Sequence, residues 1–147
     1  MDVQIQPYES RHRIALCEIW FDSFLSSGLT HGDDTTVATL LARWDQETAA
    51  RWTALVAVDG EDLLGFAAFA PETCHLHQLF VARSAQGRGT GKLLLDAVKR
   101  RFPDGFTLNT HVENAGARRF YEREGMVHQD TRPHARYGHM TAVYRWR

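Results

Sequence analysis

The chain has 147 residues, a length that suits one domain over 1–147 and allows a core that needs no disulfide or metal staple. Its 44% hydrophobic and 24% charged residues exclude a disordered chain. A net charge of −1 excludes capture of nucleic acid or an anionic membrane by an overall positive field, so an anionic ligand has to be caught by local features.

In chain order, Val3 to Gln6 alternates as a short strand that Pro7 ends. Glu9 to Phe24 reads as a helix, with Ile14, Cys17, Ile19, Trp20 and Phe24 mostly on one face. Thr30 to Asp34 reads as a turn, with Asp33 or Asp34 as an N-cap for a second helix from Thr35 to Ala50. Trp52 to Val58 and Leu63 to Ala70 form a hairpin across Asp59-Gly60-Glu61-Asp62. Cys74 to Val81 is the next strand, and a Gly-rich loop leads from it into a helix from Thr90 to Phe102, with Leu94, Leu95, Val98 and Phe102 as its buried stripe. Phe106 to Val112 alternates as a strand. Asn114 caps a helix running to Glu124, and Gly125 follows it as the C′ residue. Val127 to Asp130 and Met140 to Arg145 are the last two strands, joined by a loop rich in His, Arg and Pro. This order predicts an α+β domain (equally, α/β with a mixed sheet) carrying about four helices.

The loop Gln86-Gly87-Arg88-Gly89-Thr90-Gly91 joins a strand to a helix N-terminus. Its glycines permit positive φ and close approach of a ligand to the backbone. The first helical N–H groups are unpaired, and with the helix dipole they suit phosphate or pyrophosphate. Arg88 and Lys92 add positive charge. A P-loop needs Gly at the position of Gln86 and Ser or Thr at that of Leu93; a dinucleotide fingerprint beginning at Gly87 needs Gly at that of Lys92. Both motifs fail. The pattern (Gln/Arg)-x-x-Gly-x-(Gly/Ala) fits Gln86, Gly89 and Gly91.

At this loop, within the run LFVARSAQGRGTGKLLLDAV, the chain resembles the GNAT superfamily of acyl-CoA-dependent N-acyltransferases. A second matching segment lies downstream in HVENAGARRFYEREGM, with Asn114, Ala117, Phe120, Tyr121 and Gly125 at the family spacing. The resemblance covers residues 50–130. It implies a central, mostly antiparallel sheet splayed at the coenzyme site, acetyl-CoA as co-substrate, and direct transfer of acetyl to a primary amine of a small molecule or peptide. It further implies that the loop residues Gln86 to Lys92, the strand backbone at Leu79, Phe80 and Val81, and Asn114, Ala117 and Tyr121 contact the coenzyme. The strand would take the pantetheine arm as a further strand. Dimers are common in the family.

Tyr121 is by resemblance the general acid, since a phenol can protonate a departing thiolate; the competing reading is a tyrosine that only packs beside Phe120. Asn114 either caps its helix, contacts the pantetheine arm, or does both. Many members place a Glu on the strand before the loop as base. The corresponding positions here are His75 and His77, which project to one face and either accept a proton through water or only line the groove. His75, His77 and His111 also offer a three-His metal set, but no metal is expected. Two cysteines, Cys17 and Cys74, make no framework, and no motif places Cys74 as a nucleophile, so a reducing cytoplasm and a route without an acyl-enzyme are expected. No signal peptide or membrane helix is read. The acceptor is expected between Phe24–Asp34 and Thr131–His139; in the second loop Arg, His and Tyr137 favour a carboxylate or phosphate, or simply face solvent, and in the first Asp33 and Asp34 attract a cationic amine or only cap a helix. A non-catalytic acyl-CoA sensor of the same fold is the competing function.

Overall fold

The computed structural model describes residues 2–26, 35–135 and 138–147. Seven strands form one sheet: β1 (Gln4–Pro7), β2 (Thr53–Asp59), β3 (Asp62–Ala70), β4 (His75–Val81), β5 (Phe106–His111), β6 (Val127–Pro133) and β7 (Met140–Trp146). Their order is β1-β2-β3-β4-β5-β7-β6, and the pairing is antiparallel except between β4 and β5. Helices α1 (Arg13–Ser26) and α2 (Val37–Ala50) cover one face, and α3 (Thr90–Arg101) and α4 (Ala115–Arg123) serve the other. This is the expected mixed, mostly antiparallel sheet with four helices. Among the described residues no helix is long and apolar enough to cross a membrane.

Strand alternation divides the core. On β2, Ala54, Val56 and Val58 point to α1 and α2, while Leu55 and Ala57 point to α3. The first face closes over Trp20, Trp44, Trp52 and Phe66, whose rings meet mostly edge to face, with centroids 5.7–6.4 Å apart. The second is filled by Leu94, Leu95 and Val98 of α3, as the helical spacing predicts, with Phe102 just beyond the helix end.

Two local expectations are corrected. The buried stripe of α1 runs through Leu16, Cys17 and Trp20, and Ile14 is 60% exposed. At 100° per residue Ile14 lies about 110° round the helix from that stripe, too far to reach the sheet. β6 continues to Pro133 rather than stopping at Asp130. It is an edge strand exposed along its whole length, so no apolar alternation marks its end.

The feature that positions the site is a bulge in β4. Ala68 pairs with Gln78 and Phe69 with Leu76, which leaves His77 as an extra residue. A bulge bends its strand and disrupts the ladder. Consistent with this, β4 and β5 pair only at His75–Thr107 and Leu76–Leu108 and then part. The gap between them leaves the β5-facing edge of β4 beyond Leu76 without a strand partner.

Candidate active site

That gap opens into a cavity of about 1190 Å³, room for a nucleotide-sized coenzyme and a second molecule. Leu79, Phe80 and Val81 of β4 form one wall; Leu108, Asn109 and Thr110 of β5 form the other. At the wide end lies the Gly-rich loop. A turn of 3-10 helix at Arg83–Ala85 leads into it, and Gly87 and Gly89 have φ of 79° and 80°. Those left-handed angles explain the two glycines. Gly89 is the N-cap of α3, and the first intrahelical bond is donated by Leu93 to its carbonyl at 3.0 Å. The N–H groups of Thr90, Gly91 and Lys92 precede that bond and form the open end of the helix.

The loop side chains divide by role. Gln86 donates its amide to the Val81 carbonyl at 3.2 Å, so it ties the loop to the end of β4. Thr90 is buried, and its hydroxyl bonds Ala85 at 3.4 Å. At Gly91 an added Cβ would stand 3.5 Å from the Phe120 ring, an ordinary packing distance, so this position would also admit alanine, as the Gly/Ala place in the pattern allows. Lys92 does not carry a free charge to the loop: its ammonium lies 3.1 Å from Asp96 and 3.0 Å from Glu124. Both carboxylates raise its pKa, and the pair with Glu124 joins α3 to α4. Arg88 is exposed on the loop and is not part of the lining.

Helix α4 brings Asn114, Ala117, Phe120 and Tyr121 to the same cavity. Asn114 does cap the helix, its side-chain oxygen accepting from the Ala117 N–H at 3.1 Å. Gly125, at φ 92°, ends it. Tyr121 is 8% exposed, and burial pushes its hydroxyl up to about 12. Its ring lies 5.2 Å from Phe120 and 6.3 Å from Tyr144. Behind it, Tyr144 donates to Glu122 and accepts from Arg118 at 2.9 Å, while Arg118 also reaches the Val112 carbonyl at 3.2 Å. This brace escapes sequence reading because Tyr144, which links Arg118 and Glu122 of α4, comes from β7.

At the other end the two strand histidines separate. His77 lines the cavity; His75 does not, and its Nδ1 lies 2.7 Å from the Thr107 hydroxyl. The rings meet edge to face at 4.6 Å, and His77 also packs 5.4 Å from Trp52. The His77 Nε2 is buried with no hydrogen-bond partner among the described residues. Burial, then the charges of its neighbours, lowers its pKa to about 4. His111 stacks on His139 at 4.2 Å, and His139 on His134 at 4.6 Å. Among the described residues no group of three or more His, Cys, Asp or Glu is arranged to hold a metal. Trp20, Ser23, Phe24, Ser26 and Arg43 complete this end. Ser27 to Asp34, with Asp33 and Asp34, and also Tyr137 lie outside the described residues.

The His77 environment has a consequence for stability. An unfolded histidine titrates near 6.5. Between that pH and about 4 the unfolded chain binds a proton that folded His77 refuses. Its stabilising contribution is therefore present above about pH 6.5 and lost as pH falls toward 4. The melting temperature is expected to drop between about pH 7 and pH 4.5, and His77→Gln to shrink that drop. An unchanged pH slope in the variant would assign the effect to another group.

The structure aligns over 99% of its length with a GNAT-family protein from Desulfovibrio desulfuricans, covering 98% of that chain, with a TM-score of 0.77 and 19% identity. Similar values hold for yncA of Salmonella typhimurium, solved with its cofactor acetyl-CoA (TM-score 0.76, 16% identity, 99% and 93% of the two chains). They hold also for apo YjaB of Escherichia coli (TM-score 0.76, 18% identity, 99% and 98%). At such identities these likenesses establish the fold. No curated protein sequence matches the chain. The sequence model of the Acetyltransferase (GNAT) family matches residues 13–126, a span that contains the β4 strand, the Gly-rich loop and Tyr121, and the chain therefore belongs to that family.

Proposed function

We propose that this protein transfers an acetyl group from acetyl-CoA to a primary amine by direct attack within a ternary complex. One observation carries the reading: a single cavity joins an open strand edge, a left-handed glycine loop at a helix N-terminus, and a buried tyrosine hydroxyl. The yncA neighbour, solved with acetyl-CoA, supports the choice of donor.

In this reading the pantetheine amides pair with the backbone of Leu79, Phe80 and Val81, and the pyrophosphate sits on the N–H groups from Gly87 to Lys92. Asn114 and Ala117 bound the arm near the thioester. The amine attacks the carbonyl carbon; a C–N bond forms and the carbonyl electrons move to oxygen. As they return, the C–S bond breaks and the thiolate takes a proton. Tyr121 supplies it. A hydroxyl at about 12 is always protonated at working pH. It is a weaker acid than a free thiol, but the dry pocket that raises the tyrosine also raises the departing thiol, which narrows the mismatch. The amine proton leaves by His77, whose neutral ring accepts it at Nε2, directly or through water, in the tautomer that carries its own proton on Nδ1. An imidazole this weakly basic serves as a relay, and it acts on the tetrahedral adduct, whose ammonium is more acidic than the free amine's. His75 holds the His77 ring from behind.

The test is thiol release from acetyl-CoA with a panel of amines. Release is expected only when an acceptor is present. Tight acetyl-CoA binding with no release for any amine would leave the sensor reading in its place.

A further inference from the structure

The acceptor half of the cavity has an uneven charge inventory. Among the described lining residues the one carboxylate is Glu124, and it stands at the coenzyme end, 3.0 Å from Lys92. The acceptor end carries Arg43 as its fixed charge, beside His77, His111, His134 and His139.

Arg43 is placed unusually for an arginine on these two helices. Its neighbours are committed: Arg13 to Asp45 at 2.6 Å and Arg51 to Glu47 at 2.7 Å. Among the described residues Arg43 makes no ion pair and no side-chain hydrogen bond. Instead its guanidinium carbon lies 5.4 Å from the Trp20 ring centroid and 5.9 Å from that of Trp52. Arg43 is an exposed residue, and its approach to two ring faces restrains the guanidinium while leaving its N–H donors without a partner among the described residues. After burial and the charges of His75 and Arg51, the Arg43 charge adds a smaller push to lowering the His77 pKa, which puts it near the proposed relay. A restrained guanidinium with unused donors, at the acceptor end of a cavity lacking a described carboxylate there, is a receptor for an oxyanion.

We propose that Arg43 binds the acceptor's anionic group, and that the amine acetylated here also carries a carboxylate, as an amino acid does. This rests on the transfer reading above. A polyamine would set its second ammonium against Arg43 with no carboxylate among the described lining residues there to receive it; Glu47, near His77, lies outside the lining and is paired with Arg51.

The experiment measures thiol release by the intact protein with matched acceptors: lysine against cadaverine, tyrosine against tyramine, and phosphoethanolamine against ethanolamine. The carboxylated partner is expected to have a kcat/KM higher by about tenfold or more, mostly through KM. Arg43→Gln should bring that ratio near one by raising KM at similar kcat, and Arg43→Lys should restore part of it. The wild-type ratio tests the idea even if a variant folds poorly. Equal or better use of the decarboxylated partners overturns the proposal, as does a ratio unmoved by Arg43→Gln. A preference for the phosphate compound alone overturns the carboxylate assignment. Release with polyamines but not amino acids sinks this inference and leaves acetyl transfer standing. Acetyl-CoA binding without release for any amine removes both.

Discussion

Tyr121→Phe is expected to lower kcat by about 10²- to 10³-fold while leaving acetyl-CoA affinity within about twofold of wild type. The substitution removes one oxygen and keeps the ring that packs against Phe120 and Tyr144. No described residue hydrogen-bonds that hydroxyl, and burial is the cause of its raised pKa, so the fold loses little. A loss confined to kcat would therefore report a group acting in the transition state rather than in binding. The pH profile adds a second reading. With the hydroxyl pushed up to about 12, Tyr121 contributes no falling alkaline limb across the ordinary assay range. Rising activity across that range would report loss of a proton from the amine, because His77, lowered to about 4, is already neutral there. Turnover within a few-fold of wild type would remove Tyr121 as the acid and return it to a packing role.

What could be read in the sequence follows from which forces are local. The strand, loop and helix around Gln86 to Gly91 are legible because glycine spacing and helical period are properties of neighbouring residues. Asn114 is legible as a cap for the same reason. The pairing of His75 with His77 on one face follows from strand alternation, but their separation into one residue behind the cavity and one lining it does not. That separation accompanies an extra residue in β4 opposite β3, which is a property of register between strands. Lys92 illustrates the same limit. Its position beside the loop marks it as a phosphate ligand until Glu124, 32 residues on, is found against it. Arg43 sits on the exposed side of an amphipathic helix, next to the buried Trp44, and reads as a solvated charge. Only the approach of Trp20 and Trp52 from other elements makes it part of a cavity. The loop thus marks one end of the cavity from local sequence, whereas the other end, where the proposed acceptor would sit, is assembled from described residues of α1, α2, β4, β5 and the β6–β7 connection.

Gly89→Val is expected to weaken acetyl-CoA binding by about 100-fold or more while the protein still folds. Gly89 sits at φ 80° and ψ 7°, a conformation that a β-branched residue adopts only with strain. Apart from its chain neighbours, no described residue lies within 4 Å of a Cβ added there, so that atom meets no wall. It projects into open space beside the helix N-terminus, where the proposed pyrophosphate approaches the backbone. Strain that turns even two N–H groups away would cost charge-assisted hydrogen bonds of about 1.5–3 kcal/mol each. Backbone strain alone should lower the melting temperature by only a few degrees, about 3–8 °C. Gly60 supplies the control. It has φ 61°, also with nothing within 4 Å of an added Cβ, but it lies in the turn between β2 and β3 and outside the cavity lining. Gly60→Val should show a comparable thermal loss with acetyl-CoA binding intact. Calorimetric titration of the two variants separates the effects. Equal affinities in Gly89→Val and wild type would mean that the loop does not hold the coenzyme, and equal weakening in both variants would mean that strain acts through the fold rather than at the phosphate.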